Sequence, residues 1–101
     1  MRFQISLGNQ TLSNFMRSCG YAPEGTDPKT GELKFYRSIR GRDYPKFHIY
    51  CKESAHQSSA SLNLHLDQKQ PTYRGSSAHS GEYDGDIIEQ EAGRIQSASR
   101  L

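Results

Sequence analysis

A chain of 101 residues, 33% hydrophobic and 24% charged with a mean hydropathy of -0.88, allows one domain around one modest core and leaves no room for a second. The net charge of +2 is too mild to specify a partner. No apolar run approaches the roughly 18 residues that cross a bilayer, so no membrane-spanning helix is expected in it.

The N-terminus MRFQISLGNQ lacks the apolar segment of a secretion signal, so a soluble, cytoplasmic protein is expected. Cys19 and Cys51 are far apart and form no C-x-x-C pair, so reduced core thiols are expected rather than a disulfide framework.

Residues 2–7 alternate, with Phe3, Ile5 and Leu7 on one side, which suits a short strand. A flexible leader over residues 1–10 is the alternative. Thr11 can cap a helix whose apolar residues Leu12, Phe15, Met16 and Cys19 fall at helical spacing, and Gly20 can end it in a left-handed conformation. Residues 21–31, YAPEGTDPKTG, hold two prolines and two glycines and read as a surface connection.

Strands are expected over Leu33 to Ile39 and about Phe47 to Glu53, joined by the turn Arg40-Gly41-Arg42-Asp43. Phe47, Ile49 and Cys51 point one way and His48, Tyr50 and Lys52 the other. After the polar turn SAHQSSA, Leu62, Leu64 and Leu66 mark a third strand whose opposite face carries Asn63, His65 and Asp67. Residues 69–85 follow as a long polar loop, a length often associated with function. A helix from Asp86, with Glu89 in its first turn, buries Ile88, Ala92 and Ile95, and residues 97–101 are expected to fray. The expected fold is therefore α+β: helix, three-stranded antiparallel sheet, helix, with a possible extra N-terminal strand and both helices on one face of the sheet.

Charge is unevenly placed. From Lys29 to Lys52 there are seven basic residues against two acids, and from Glu82 to Glu91 five acids and no base. Cations and rings interleave along the first hairpin, and such a mixture suits nucleic acid, because cations neutralise phosphates while flat rings stack on unpaired bases. The expected RNA-binding residues are Arg37, Arg40, Arg42, Tyr44, Lys46, His48, Tyr50 and His65, with Lys69, Tyr73 and Arg74 from the long loop.

Two resemblances bear on this. The helix, three-strand, helix order resembles the double-stranded-RNA-binding fold and the small ribonuclease toxins that share it. Those toxins carry a Gly-Ser-His motif on an early strand, whereas here His48 follows Lys46 and Phe47. Over residues 12–96, FYRSIRGRDYPKFHIY, LNLHLDQKQPTYRGSSAHSGEYDGD and EQEAGRI resemble an uncharacterised family of small bacterial proteins. That resemblance implies a genuine folded domain in an intracellular setting and no site residues.

Two other function classes stay open. A small ribonuclease would use His65 and His79, with Asp67 and Glu82 as carboxylate partners and no metal. An interaction module would pair an open sheet edge with a partner strand or a second copy, giving a homodimer. Ser77, His79 and Glu82 are the residue types of a hydrolase triad, but they crowd into one loop without a strand-to-helix elbow. His48, His65, Asp67 and His79 have metal-donor chemistry, but their spacing specifies no site, and no cofactor is expected.

Overall fold

The computed structural model describes residues 1–39, 41, 44–54, 58–68 and 85–99. Among them the elements are β1 (Arg2–Ser6), α1 (Leu12–Ser18), β2 (Ala22–Thr26), β3 (Leu33–Ser38), β4 (Lys46–Ser54), β5 (Ser59–Asp67) and α2 (Gly85–Ser99). The strands form one antiparallel sheet in the order β1-β5-β4-β3-β2.

The three-stranded sheet expected from the sequence is thus corrected to five strands. The alternating N-terminal residues are a true strand, β1, with Phe3 opposite Leu62 and Ile5 opposite Ala60. The second addition, β2, falls in the first half of what reads as a surface connection. It pairs with β3 across a register shift between Pro23 and Gly25, and Gly25 takes a φ of 114° that other residues resist. Proline and a bulge are tolerated there because β2 is an edge strand. The second half is the turn into β3, where Asp27 Oδ1 accepts from the Lys29 N–H at 2.8 Å.

α1 forms where its caps allow. Thr11 Oγ1 accepts from the Asn14 N–H at 3.0 Å. Beyond Ser18, the Gly20 N–H donates to the Arg17 carbonyl and the Tyr21 N–H to the Met16 carbonyl, both at 2.9 Å, with Gly20 at φ 94°. This paired closure turns the chain back under the helix and buries Tyr21.

One core joins all layers. Ile5, Phe35, Phe47, Ile49, Cys51, Ala60, Leu62, Leu64 and Leu66 from the sheet are buried with Leu12, Phe15 and Met16 of α1 and Ala92 and Ile95 of α2. Because these sheet residues share one face by alternation, both helices cover that face, and among the described residues nothing packs over the other. α2 starts at Gly85 and continues through Ser97–Ser99, the beginning of the expected tail, where Ser99 Oγ accepts from the Ser6 N–H at 3.2 Å. No helix among the described residues is long and apolar enough to cross a membrane.

Candidate nucleic-acid interface

The open face is specified by register. In the central ladder His48 faces His65, Lys46 faces Asp67 and Tyr50 faces Asn63. On one flank Tyr36 faces His48 and Lys34 faces Tyr50, and on the other Arg2 faces Asn63. Alternation therefore gathers Arg2, Lys34, Tyr36, Lys46, His48, Tyr50, Lys52, Asn63, His65 and Asp67 on a single surface that neither described helix covers.

Its rings are held by neighbours. The Lys46 ammonium lies 5.0 Å from the centroids of both Tyr36 and Tyr44, a distance suited to cation–π attraction. Tyr50 meets His65 edge-on with centroids 6.0 Å apart. His48 is clamped at both nitrogens: Nδ1 is paired with Asp67 Oδ2, and Nε2 lies 3.3 Å from Glu24 Oε1. The Asp67 hydrogen bond raises the His48 pKa above the ordinary histidine value, with the Asp67 and Glu24 charges acting the same way against partial burial. The same hydrogen bond lowers the Asp67 pKa. His65 behaves oppositely, because burial and the positive N-terminus lower its pKa in spite of the Asp67 charge.

The expected residues divide accordingly. Lys46, His48, Tyr50, His65 and Asp67 share the open face, and Tyr44 joins it through Lys46. Arg37 does not, because it faces Phe47 on the helix side of β3, with Nη1 3.5 Å from Glu91 Oε2. Asp67, expected beside His65 on its own strand, instead pairs diagonally with His48 across the ladder. Arg40, Arg42, Lys69, Tyr73, Arg74, His79 and Glu82 lie outside the described residues. Glu24 was not anticipated at all, since its segment carries no strand pattern. Among the described residues no group of three or more His, Cys, Asp or Glu side chains is placed to hold a metal ion.

The other face carries a polar cluster that sequence reasoning also missed. Glu91, only 6% exposed, accepts from Tyr21 Oη at 2.6 Å and from Arg94 Nε and Nη2 at 2.9 and 2.8 Å. Arg94 Nη2 also donates to the Cys19 carbonyl at 2.8 Å, so the cluster ties α2 to the end of α1 and to β3. Burial pushes the Glu91 pKa up, but the Arg94 and Tyr21 hydrogen bonds and the two guanidinium charges outweigh it and hold the carboxyl below the ordinary range. Beside it, a groove of about 620 Å³ is lined by Ile39, Pro45, Phe47, Leu66 and Ile87. The two cysteines are free and buried, and burial pushes the Cys51 thiol up to about 12.

The sheet edges are guarded. On β1 the Ser6 N–H and the Gln4 carbonyl, which accepts from Gln96 Nε2 at 3.4 Å, are met by side chains of α2. On β2, Pro23 and the bulge interrupt the pairing surface.

Comparison with known proteins found no family model, no curated protein and no solved structure that matches this chain.

Proposed function

We propose that the open sheet face binds single-stranded nucleic acid, RNA in particular. The observation that carries the reading is that Tyr36, Tyr50 and His65 share one face, covered by neither described helix, with Arg2, Lys34, Lys46 and Lys52. An unpaired strand laid across such a face can stack bases on the rings while its phosphates meet the flanking cations, a contact worth about 1–3 kcal/mol per stacked base. The acids nearest the centre, Glu24 and Asp67, are both engaged by His48, which reduces their repulsion of phosphate. A cytoplasmic setting belongs to this proposal, and the free, buried cysteines are compatible with it. A strand-edge homodimer has less in its favour, because its approach must displace Gln96 and Ser99 from β1 or accommodate Pro23 on β2.

The test is fluorescence anisotropy with a labelled single-stranded RNA at two salt concentrations, for the wild type and for Lys34→Ala/Lys46→Ala. The wild type is expected to bind with strong salt dependence. Each lost phosphate contact should reduce the slope of log K against log salt by about 0.7. Absence of binding at low salt, or a slope unchanged by the double substitution, would overturn the proposal.

A further inference from the structure

We propose that His48 and His65 form an acid–base pair that cleaves RNA lying on the open face, with His65 taking the proton of a ribose 2′-hydroxyl and His48 protonating the departing 5′-oxygen. The inference rests on the RNA-binding reading above and adds a reaction to it.

Register supplies the geometry. His48 and His65 are directly opposite on β4 and β5, the two longest strands and both interior to the sheet, on the face that neither described helix covers. Cross-strand partners stand with Cβ atoms about 4.5–5.5 Å apart, which puts both imidazoles on one face within reach of a single phosphodiester, with the His48 ring turned toward Asp67 and Glu24 and the His65 ring toward Tyr50. In-line displacement at phosphorus requires such an arrangement, with a base on the attacking oxygen and an acid on the leaving one.

The two rings are also made unlike by their partners. His48 has carboxylates on two sides, Asp67 from β5 at Nδ1 and Glu24 from β2 at Nε2, so its charged form is held ready to give a proton. Among the described residues no carboxylate is bonded to His65 in the same way. It stands against the Tyr50 ring, and burial lowers its pKa, so its neutral form is held ready to accept one. Groups of one chemical kind whose surroundings drive their protonation apart are the general pattern of an acid and a base in one site. Lys46, two residues before His48, and Arg2, facing Asn63 two residues before His65, put positive charge on either side of the pair.

Glu24 fits this arrangement as a displaceable occupant. Its side chain is 33% exposed and sits at the bulge of the edge strand, so a phosphate can take its place at Nε2 without breaking the central ladder. Asp67 stays on Nδ1 and keeps the ring oriented, which makes it a positioning residue.

The step balances without a co-reactant. A ring nitrogen of His65 takes the 2′-hydroxyl proton, O2′ forms a bond to phosphorus, the P–O5′ bond breaks with its electron pair on O5′, and Nε2–H of His48 supplies the proton that O5′ needs. The products are a 2′,3′-cyclic phosphate and a 5′-hydroxyl end. His65 is left charged and His48 neutral, and proton exchange with water restores both.

The test uses an end-labelled strand containing one ribonucleotide in a 2′-deoxy background, with the all-deoxy strand as the non-cleavable binding probe. The wild type should cut only at the ribonucleotide and leave a cyclic phosphate detectable by mass spectrometry. His65→Asn and His48→Asn should each slow cleavage about 100-fold or more while the all-deoxy strand still binds. His65 is only partly buried and is more exposed than His48, so its variant should fold even if that of His48 does not. Binding of the all-deoxy strand without cleavage of the ribonucleotide strand would overturn the acid–base pair and leave the binding reading standing. Absence of binding to either strand would remove the binding reading and this inference with it. Cleavage that persists in a folded His65→Asn protein would also overturn the assignment.

Discussion

The polar cluster under α2 gives a quantitative prediction. Glu91 accepts hydrogen bonds from Tyr21 Oη and from Arg94 and lies 3.5 Å from Arg37 Nη1. Glu91→Ala leaves the Tyr21 hydroxyl in the core without its acceptor, which costs about 1–3 kcal/mol by itself, and leaves two guanidiniums facing each other. Removing one partner of a buried charge cluster costs about 3–5 kcal/mol. The side chains of Arg37 and Arg94 are 32% and 43% exposed, so water recovers part of their solvation, and the lower end, about 3 kcal/mol, is the expected loss. For a domain of this size that corresponds to a fall in Tm of about 12–24 °C.

Equilibrium urea unfolding at pH 7 measures the loss, with Tyr21→Phe and the double variant completing a cycle. The two single losses should sum to more than the double loss, because both remove the same Tyr21–Glu91 bond. The acid limb gives a second check. Glu91 has a folded pKa below its reference value of 4.5, so its contribution is complete above that pH and is lost as pH falls through the folded value. Glu91→Gln should therefore flatten the loss of stability on acidification. A Glu91→Ala cost below about 1 kcal/mol with an unchanged m-value would refute the argument that this carboxylate holds α2 to the rest of the fold.

Other perturbations have separate readouts. Gly20→Ala should cost about 1–2 kcal/mol in urea unfolding, because φ is 94° there and an added Cβ would stand 3.3 Å from Arg37 Nε. Leu64→Ala, at the fully buried centre of β5, should cost about 2–5 kcal/mol, whereas Ile87→Ala on the exposed side of α2 should fall within about 0.5 kcal/mol of wild type. His48 has a folded pKa above its reference of 6.5, so the stability from its charged form is complete below that pH and is lost as pH rises through the folded value. Among the described residues the charged or titratable groups around it are Asp67 and His65 on β5, Glu24 on β2, Tyr36 on β3 and Lys46 on β4. With Asp67 37% exposed, the amplitude should stay below about 1 kcal/mol, and His48→Gln should abolish it.

How far the sequence discloses this fold depends on what each residue buries. α1 is legible because Leu12, Phe15 and Met16 recur at helical spacing between a threonine cap and a glycine stop. β4 and β5 are legible because Phe47, Ile49 and Cys51 and the three leucines alternate, and the structure buries all of them. β2 is invisible for the complementary reason: Ala22 is half-buried and the rest of the strand is exposed, so it leaves no apolar period. It exists because β3 offers an unpaired edge, and an edge is a property of the assembled sheet. Glu91 lies in the same position, with Ile88 and Ile95 placing it on the buried side of α2. Its hydroxyl partner Tyr21, however, is 70 residues away, and only the closure of α1 at Gly20 brings it there.

The open face follows the same logic one level higher. Alternation along a strand identifies which residues turn away from the core, but it does not say which of them meet. That requires the register, and a slip of one residue would send all of them to the other side. With His48 opposite His65, the diagonal neighbour of His48 is Asp67, and the carboxylate that seems to belong to His65 by sequence proximity belongs to His48 instead. Two histidines that look equivalent in the sequence thereby acquire opposite protonation preferences. The chemical distinction between them arises from strand pairing, and it is this distinction that the RNA cleavage experiment interrogates.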